Sequence, residues 1–170
     1  FIVRYLLEKA DTAQNAISLL MELPIASNCN ILVADKSGEM VVIECTPTTK
    51  RIRKAICSNK GKIVCTVNSF TSDEMKPFDM ANGDDYFSDS RYQTVINSFS
   101  TYIQDDYIET TKQLLKGDYG FMCQYDDPNF ETVWSSVFDL KTLMIYRAEG
   151  DPRKKKFGVD NRLHSIVKVR

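Results

Sequence analysis

Apolar positions recur along this chain with two periods, and the switches between them divide it into helices and strands. Over residues 1–10, Val3, Leu6, Leu7 and Ala10 fall at helical spacing. Asp11 with Gln14 three positions later makes a capping-box pair, with Asp11 as the predicted N-cap. Ala13, Ala16, Ile17, Leu20 and Leu23 then trace one face of a second helix that Pro24 stops. Beyond Ile31 the period changes. The runs "ILVA" (31–34) and "MVVI" (40–43) flank "DKSG", whose leading Asp35 and closing Gly38 are tight-turn chemistry, so a hairpin is predicted. Both runs are apolar on both alternating faces, which predicts a sheet covered on two sides. "KRIRKAI" reads as a third, more exposed strand, and residues 63–68 as the next.

A polar loop follows from about 71 to 88, long for a compact domain and therefore of functional interest. Tyr92, Val95, Ile96, Phe99 and Ile103 mark an amphipathic helix, with Ser88 or Asp89 as its predicted cap. Ile108, Thr111, Leu114 and Leu115 mark another, ended by Gly117. "TVWSSVFDL" and "LMIYRA" predict a final hairpin with Trp134 and Tyr146 in the core, and residues 165–169 a last strand. The order helices, strands, helices, strands is α+β, with helices over a mainly antiparallel sheet in stacked layers.

Composition narrows the classes of function. The 170 residues carry a net charge of −1, which gives no field to draw nucleic acid or an anionic membrane. No apolar segment approaches a membrane span. The five cysteines (29, 45, 57, 65 and 123) include no CxxC pair, which fits reduced thiols in a cytoplasmic protein rather than a disulfide frame or zinc site. The one histidine, His164, stands near the C-terminal end and reads as a surface or strand residue. "RKKK" (153–156) reads as a solvated loop. "DDYFSD" (84–89) lacks the ligand order of a calcium loop, and there is neither a phosphate-cradling glycine loop nor a GxSxG elbow.

Two polar residues stand where apolar or anionic ones are expected. Asn68 ends the apolar run "IVCTVNSF". It is either a polar strand end or an amide that something must hydrogen-bond, since an unpaired buried amide costs about 1–3 kcal/mol. Arg91 falls in the first turn of a helix, where a cation is unfavourable by about 0.3–1 kcal/mol. Either Asp84, Asp85 and Asp89 offset it, or it points into a cleft to hold an anion or a carbonyl oxygen. Glu44, in an apolar strand, is either buried or a charged strand end. The local pattern decides none of these.

Four stretches in order, "SNCNILVADKSGEMVVIECTP", "TVNSFTSDEM", "SDSRYQTV" and "TVWSSVFDLKTLMIYRAEGDP", resemble the C-terminal part of the choloylglycine hydrolase and penicillin-type acyltransferase family, up to about Gly150. The resemblance implies part of a four-layer αββα N-terminal-nucleophile fold. It also implies a linear-amide C–N hydrolase or acyltransferase acting on a small-molecule amide, with no cofactor and no metal. In that family an N-terminal cysteine attacks the amide carbonyl, and its α-amine can take the thiol proton. By the match to "TVNSF", Asn68 is the implied oxyanion-hole donor. By the match to "SDSRY", Arg91 is the implied residue beside the nucleophile.

The chain opens on Phe1, and no cysteine here has a free α-amine. The expectation is therefore a single domain over 1–170 that is the C-terminal portion of a larger hydrolase, inactive alone. The alternative is a non-catalytic α+β binding or self-association module. A truncated layer exposes apolar surface, which predicts a homo-oligomer.

Overall fold

A computed structural model of the chain describes residues 1–58, 61–79, 86–101, 106–123 and 131–162. Two helices come first, α1 (Ile2–Lys9) and α2 (Ala13–Glu22). The cap of α2 is Thr12 rather than Asp11: its hydroxyl accepts from Asn15 N at 3.2 Å. The free N–H of Ala13 goes instead to the Asp35 carboxylate at 2.8 Å, so the β-turn aspartate reaches across and closes the helix start. At the other end, Lys50 Nζ donates to the carbonyls of Met21 (2.8 Å) and Leu23, a cation where the helix dipole favours one.

Strands β1 (Cys29–Ala34), β2 (Met40–Cys45) and β3 (Lys50–Lys54) form an antiparallel sheet in that order. Opposed residues on neighbouring strands share a face, and the register separates two rows. Ile31, Val33, Val41, Ile43 and Cys45 lie on one face and pack with Leu6, Ile17, Leu20 and Ile25 of the helical side. Asn30, Val42, Glu44, Arg51 and Arg53 lie on the other. Val42, Ile43, Glu44 and Cys45 are all fully buried, so β2 is covered on both faces, as its pattern predicts; the same expectation fails for β1, the edge strand, whose Leu32 is 44% exposed.

A short hairpin, β4 (Ile56–Ser58) with β5 (Gly61–Ile63), follows. The strand expected over 63–68 stops at Ile63; residues 64–68 run on without ladder pairing. This segment and the residues just after it lie against the second face of the sheet, where Asn30, Arg53 and Glu44 hold their backbone, and Phe70 and Met75 are buried; a helical turn follows at Lys76–Phe78. The contacts group the chain into two compact units, Phe1–Tyr92 and Gln93–Arg170.

Helix α3 is Ser88–Thr101. Ser88 and Asp89 are inside the helix, not its caps. The Phe87 carbonyl takes the first helical hydrogen bond from Arg91 N at 3.0 Å, and Phe87 itself sits at φ 52. The Ile103 position lies outside the described residues. In the second unit, α4 (Tyr107–Lys116) is capped by Asp106, which accepts from Glu109 N at 2.9 Å, and ends at Gly117 in the left-handed conformation. Strands β6 (Trp134–Asp139), β7 (Met144–Glu149) and β8 (Gly158–Val159) make an antiparallel sheet. Trp134 is a correction: it is 51% exposed, with the Arg147 guanidinium 4.3 Å from its ring centroid. Tyr146 is half-buried and carries Lys112 Nζ at 4.1 Å from its ring. Residues 153–156 form an exposed loop in which Arg153 and Lys154 pair with Asp151. His164 and the strand expected at 165–169 lie outside the described residues. Helices with antiparallel sheets make the chain α+β. Among the described residues no helix is long and apolar enough to cross a membrane.

Candidate active site

Asn68 and Arg91, separated by 23 positions, meet. Arg91 Nη2 donates to Asn68 Oδ1 at 2.7 Å. The same guanidinium donates through Nε to the Tyr86 carbonyl (3.0 Å) and through Nη2 to Ser88 Oγ (3.5 Å). Arg91 thus curls back around the start of α3, and these three neutral oxygens hold its head group. Of the carboxylates expected to offset its charge, Asp84 and Asp85 lie outside the described residues.

The contact fixes the Asn68 amide. A guanidinium offers only donors, so the Asn68 oxygen must face it and the NH₂ must face away. Asn68 is exposed, and its Nδ2 has no partner among the described residues. The result is a donor pair, an oriented amide beside a guanidinium, open on one side.

Because 64–72 has no ladder, its shape comes from side chains. Asn30 Nδ2 donates to the carbonyls on either side of Asn68, those of Val67 and Ser69, each at 2.9 Å. The Asp79 carboxylate takes the Phe70 N–H at 2.9 and 3.1 Å. Glu44 accepts from Thr71 N (2.8 Å) and from Ser72 N (3.3 and 3.2 Å). Glu44 is therefore the buried charge of the two readings its strand allows, and Arg53 Nε meets it at 3.3 Å with a side chain only 15% exposed. Arg53 also donates to the Cys65 carbonyl, and its guanidinium lies 5.9 Å from the Tyr92 ring.

Three of the thiols, Cys29, Cys45 and Cys65, are shifted away from the thiolate. Burial pushes Cys45 up to about 12, with the facing Cys29 adding to the effect. Burial also raises Cys29 and Cys65; for Cys65 the positive charges of Arg53 and Arg91 oppose the rise without cancelling it. Activated cysteines show the opposite shift.

Sequence reasoning names Asn68 and Arg91 but passes over Asn30 and Asp79. The hairpin register held the missing signal. With "DKSG" as the turn, Asn30 falls opposite Glu44, two polar residues face to face in strands otherwise apolar.

A search of curated proteins gives no match. The family profile described as AAT, acyl-coenzyme A:6-aminopenicillanic acid acyl-transferase, matches residues 1–154. That span includes Asn68, Arg91 and every residue that shapes the segment between them. The chain therefore belongs to the acyl-coenzyme A:6-aminopenicillanic acid acyl-transferase family.

Proposed function

We propose that this chain supplies the oxyanion-stabilising part of a linear-amide hydrolase or acyltransferase. Asn68 is the donor. Its outward N–H would meet the carbonyl oxygen of a small-molecule amide or acyl donor as that oxygen becomes negative. Arg91 holds the amide in the orientation that makes it a donor and adds positive charge beside it. The observation that carries this reading is the 2.7 Å bond from Arg91 Nη2 to Asn68 Oδ1. A fixed donor aimed at developing charge is worth about 2.7–4 kcal/mol, or 10²–10³ in kcat.

The attacking thiolate is proposed to come from residues outside 1–170. The burial-raised thiols of Cys29, Cys45 and Cys65 support this, since none of them is activated for attack. On this reading the 170-residue chain alone turns over neither conjugated bile salts, penicillin V nor N-acyl amino acids. Measurable hydrolysis by the purified chain would sink the claim of a missing nucleophile. In the full-length natural protein, Asn68→Ala should lower kcat about 10²–10³-fold with KM little changed. An unchanged kcat would remove Asn68 from the oxyanion role.

A further inference from the structure

We infer that Asn30 is a positioning residue for Asn68, setting the direction of its amide by holding the two carbonyls that flank it. The inference rests on the reading of Asn68 as the oxyanion donor.

The geometry leaves little choice of orientation. Asn30 Nδ2 lies 2.9 Å from both the Val67 and the Ser69 carbonyl oxygens. Flipping its amide would set an acceptor against two acceptors, so the NH₂ must face them. Its own Oδ1 is then buried with no partner among the described residues. An orphaned buried acceptor is unfavourable, and the two bonds to the 67–69 backbone offset it. With the carbonyls before and after Asn68 both held by one β1 side chain, the backbone that carries the Asn68 side chain is fixed on both sides, and Arg91 takes its oxygen.

The neighbours support the same assignment. Asn30 stands opposite Glu44 in the β1–β2 register, and Glu44 fixes the N–H groups of Thr71 and Ser72 just beyond. Asp79 fixes the N–H of Phe70 between them. Glu44 and Asp79 act on the segment after Asn68; Asn30 alone of the three grips both sides of it. A loop donor supported by locked side chains meets the precision that an oxyanion site demands, where a misplacement of about 1 Å costs about 10²-fold in rate.

The test separates the two readings. In the ¹⁵N-labelled 170-residue chain, relaxation at Asn68 Nδ2 should give an order parameter near that of rigid backbone, about 0.85. Asn30→Asp keeps the shape and removes both donors. It should lower the Asn68 value below about 0.6 while the side-chain amide of Asn15 is unmoved. Asn30→Ser serves the same purpose if the aspartate variant does not fold. A mobile Asn68 amide in the wild type, or an order parameter that neither variant changes, overturns the inference. In the full-length protein Asn30→Asp should lower kcat about 10–10²-fold with KM held, and add nothing in an Asn68→Ala background. An equal loss in that background also overturns it. If instead Asn68→Ala itself leaves kcat intact, the oxyanion reading fails, whatever the relaxation data show for Asn30.

Discussion

Glu44→Ala should be among the most destabilising single changes in the first unit. The carboxylate is fully buried on β2 and faces one cation and two backbone N–H groups, with Arg53 Nε at 3.3 Å, Thr71 N at 2.8 Å and Ser72 N at 3.2 Å. Truncation leaves Arg53 with a nearly buried, uncompensated charge, a mechanism that costs about 3–5 kcal/mol. The two N–H groups lose their acceptor as well, and each orphaned group costs about 1–3 kcal/mol if water cannot reach it. These costs overlap, so the expected total is about 4–6 kcal/mol, a large share of the roughly 5–15 kcal/mol that stabilises a typical domain. Glu44→Gln separates the contributions. Arg53 Nε and Thr71 N both reach Oε1, so its amide oxygen can still accept from them, but its NH₂ then opposes the Ser72 N–H and the countercharge to Arg53 is gone, so a smaller loss of about 2–3 kcal/mol is expected. Urea titrations followed by far-UV circular dichroism give both values, with unchanged m values confirming the same unfolding reaction. A loss below about 1 kcal/mol for Glu44→Ala would refute the role of Glu44 as the shared acceptor of these groups, because water or relaxation would then have replaced all three partners.

Asp35 should govern part of the acid limb of stability. The Ser37 hydroxyl, followed by the Ala13 and Ser37 N–H groups, holds its carboxyl below the usual range. A folded-state value below the unfolded one means stability that is full above about pH 4 and is lost as pH falls through the folded value. Asp35→Asn should therefore flatten the thermal-melting profile below about pH 4, and an unchanged profile would contradict the assignment. Gly120 sits at φ 139, and a Cβ there would come 2.8 Å from Thr94 Oγ1 and 3.1 Å from its Cγ2, so Gly120→Ala should cost about 1–3 kcal/mol in the same titration. A neutral Gly120→Ala would show that this turn relaxes freely. Timed iodoacetamide labelling with mass spectrometry should modify exposed Cys57 first and Cys45, buried and raised to about 12, only after unfolding. Comparable rates at the two thiols in the folded chain would show that β2 opens locally.

What was legible in the sequence follows the range of the forces involved. The β1–β2 hairpin is set by "DKSG" and the end of α4 by Gly117, both chemistry within a few residues, and both stand as read. The cap of α2 differs by one position because Asp11 and Thr12 are adjacent candidates. The choice between them depends partly on Asp35, 22 positions from the Ala13 N–H it accepts. Trp134 reads as core by hydrophobicity alone, yet one face of it stacks with Arg147, a polar arrangement that a composition pattern cannot show. Asn68 and Arg91 each left two local readings open. The bond between them spans 23 positions and has no signature in either neighbourhood.

The segment 64–68 is the most instructive departure. Its alternating apolar pattern is that of a strand, and extended backbone without a ladder has the same period. What distinguishes the two is where the backbone hydrogen bonds go. In a ladder the carbonyls of Val67 and Ser69 would be taken by a neighbouring strand, whose position depends on the twist of a whole sheet. Here one side chain takes both, and that side chain stands opposite a buried glutamate which fixes the next two N–H groups. The Asn68 donor is thereby referred to two residues of a single hairpin rather than to the edge of a sheet. Point contacts from a hairpin whose β2 strand is covered on both faces hold a loop amide more narrowly than a strand terminus that frays, and narrow placement is what the proposed oxyanion role requires.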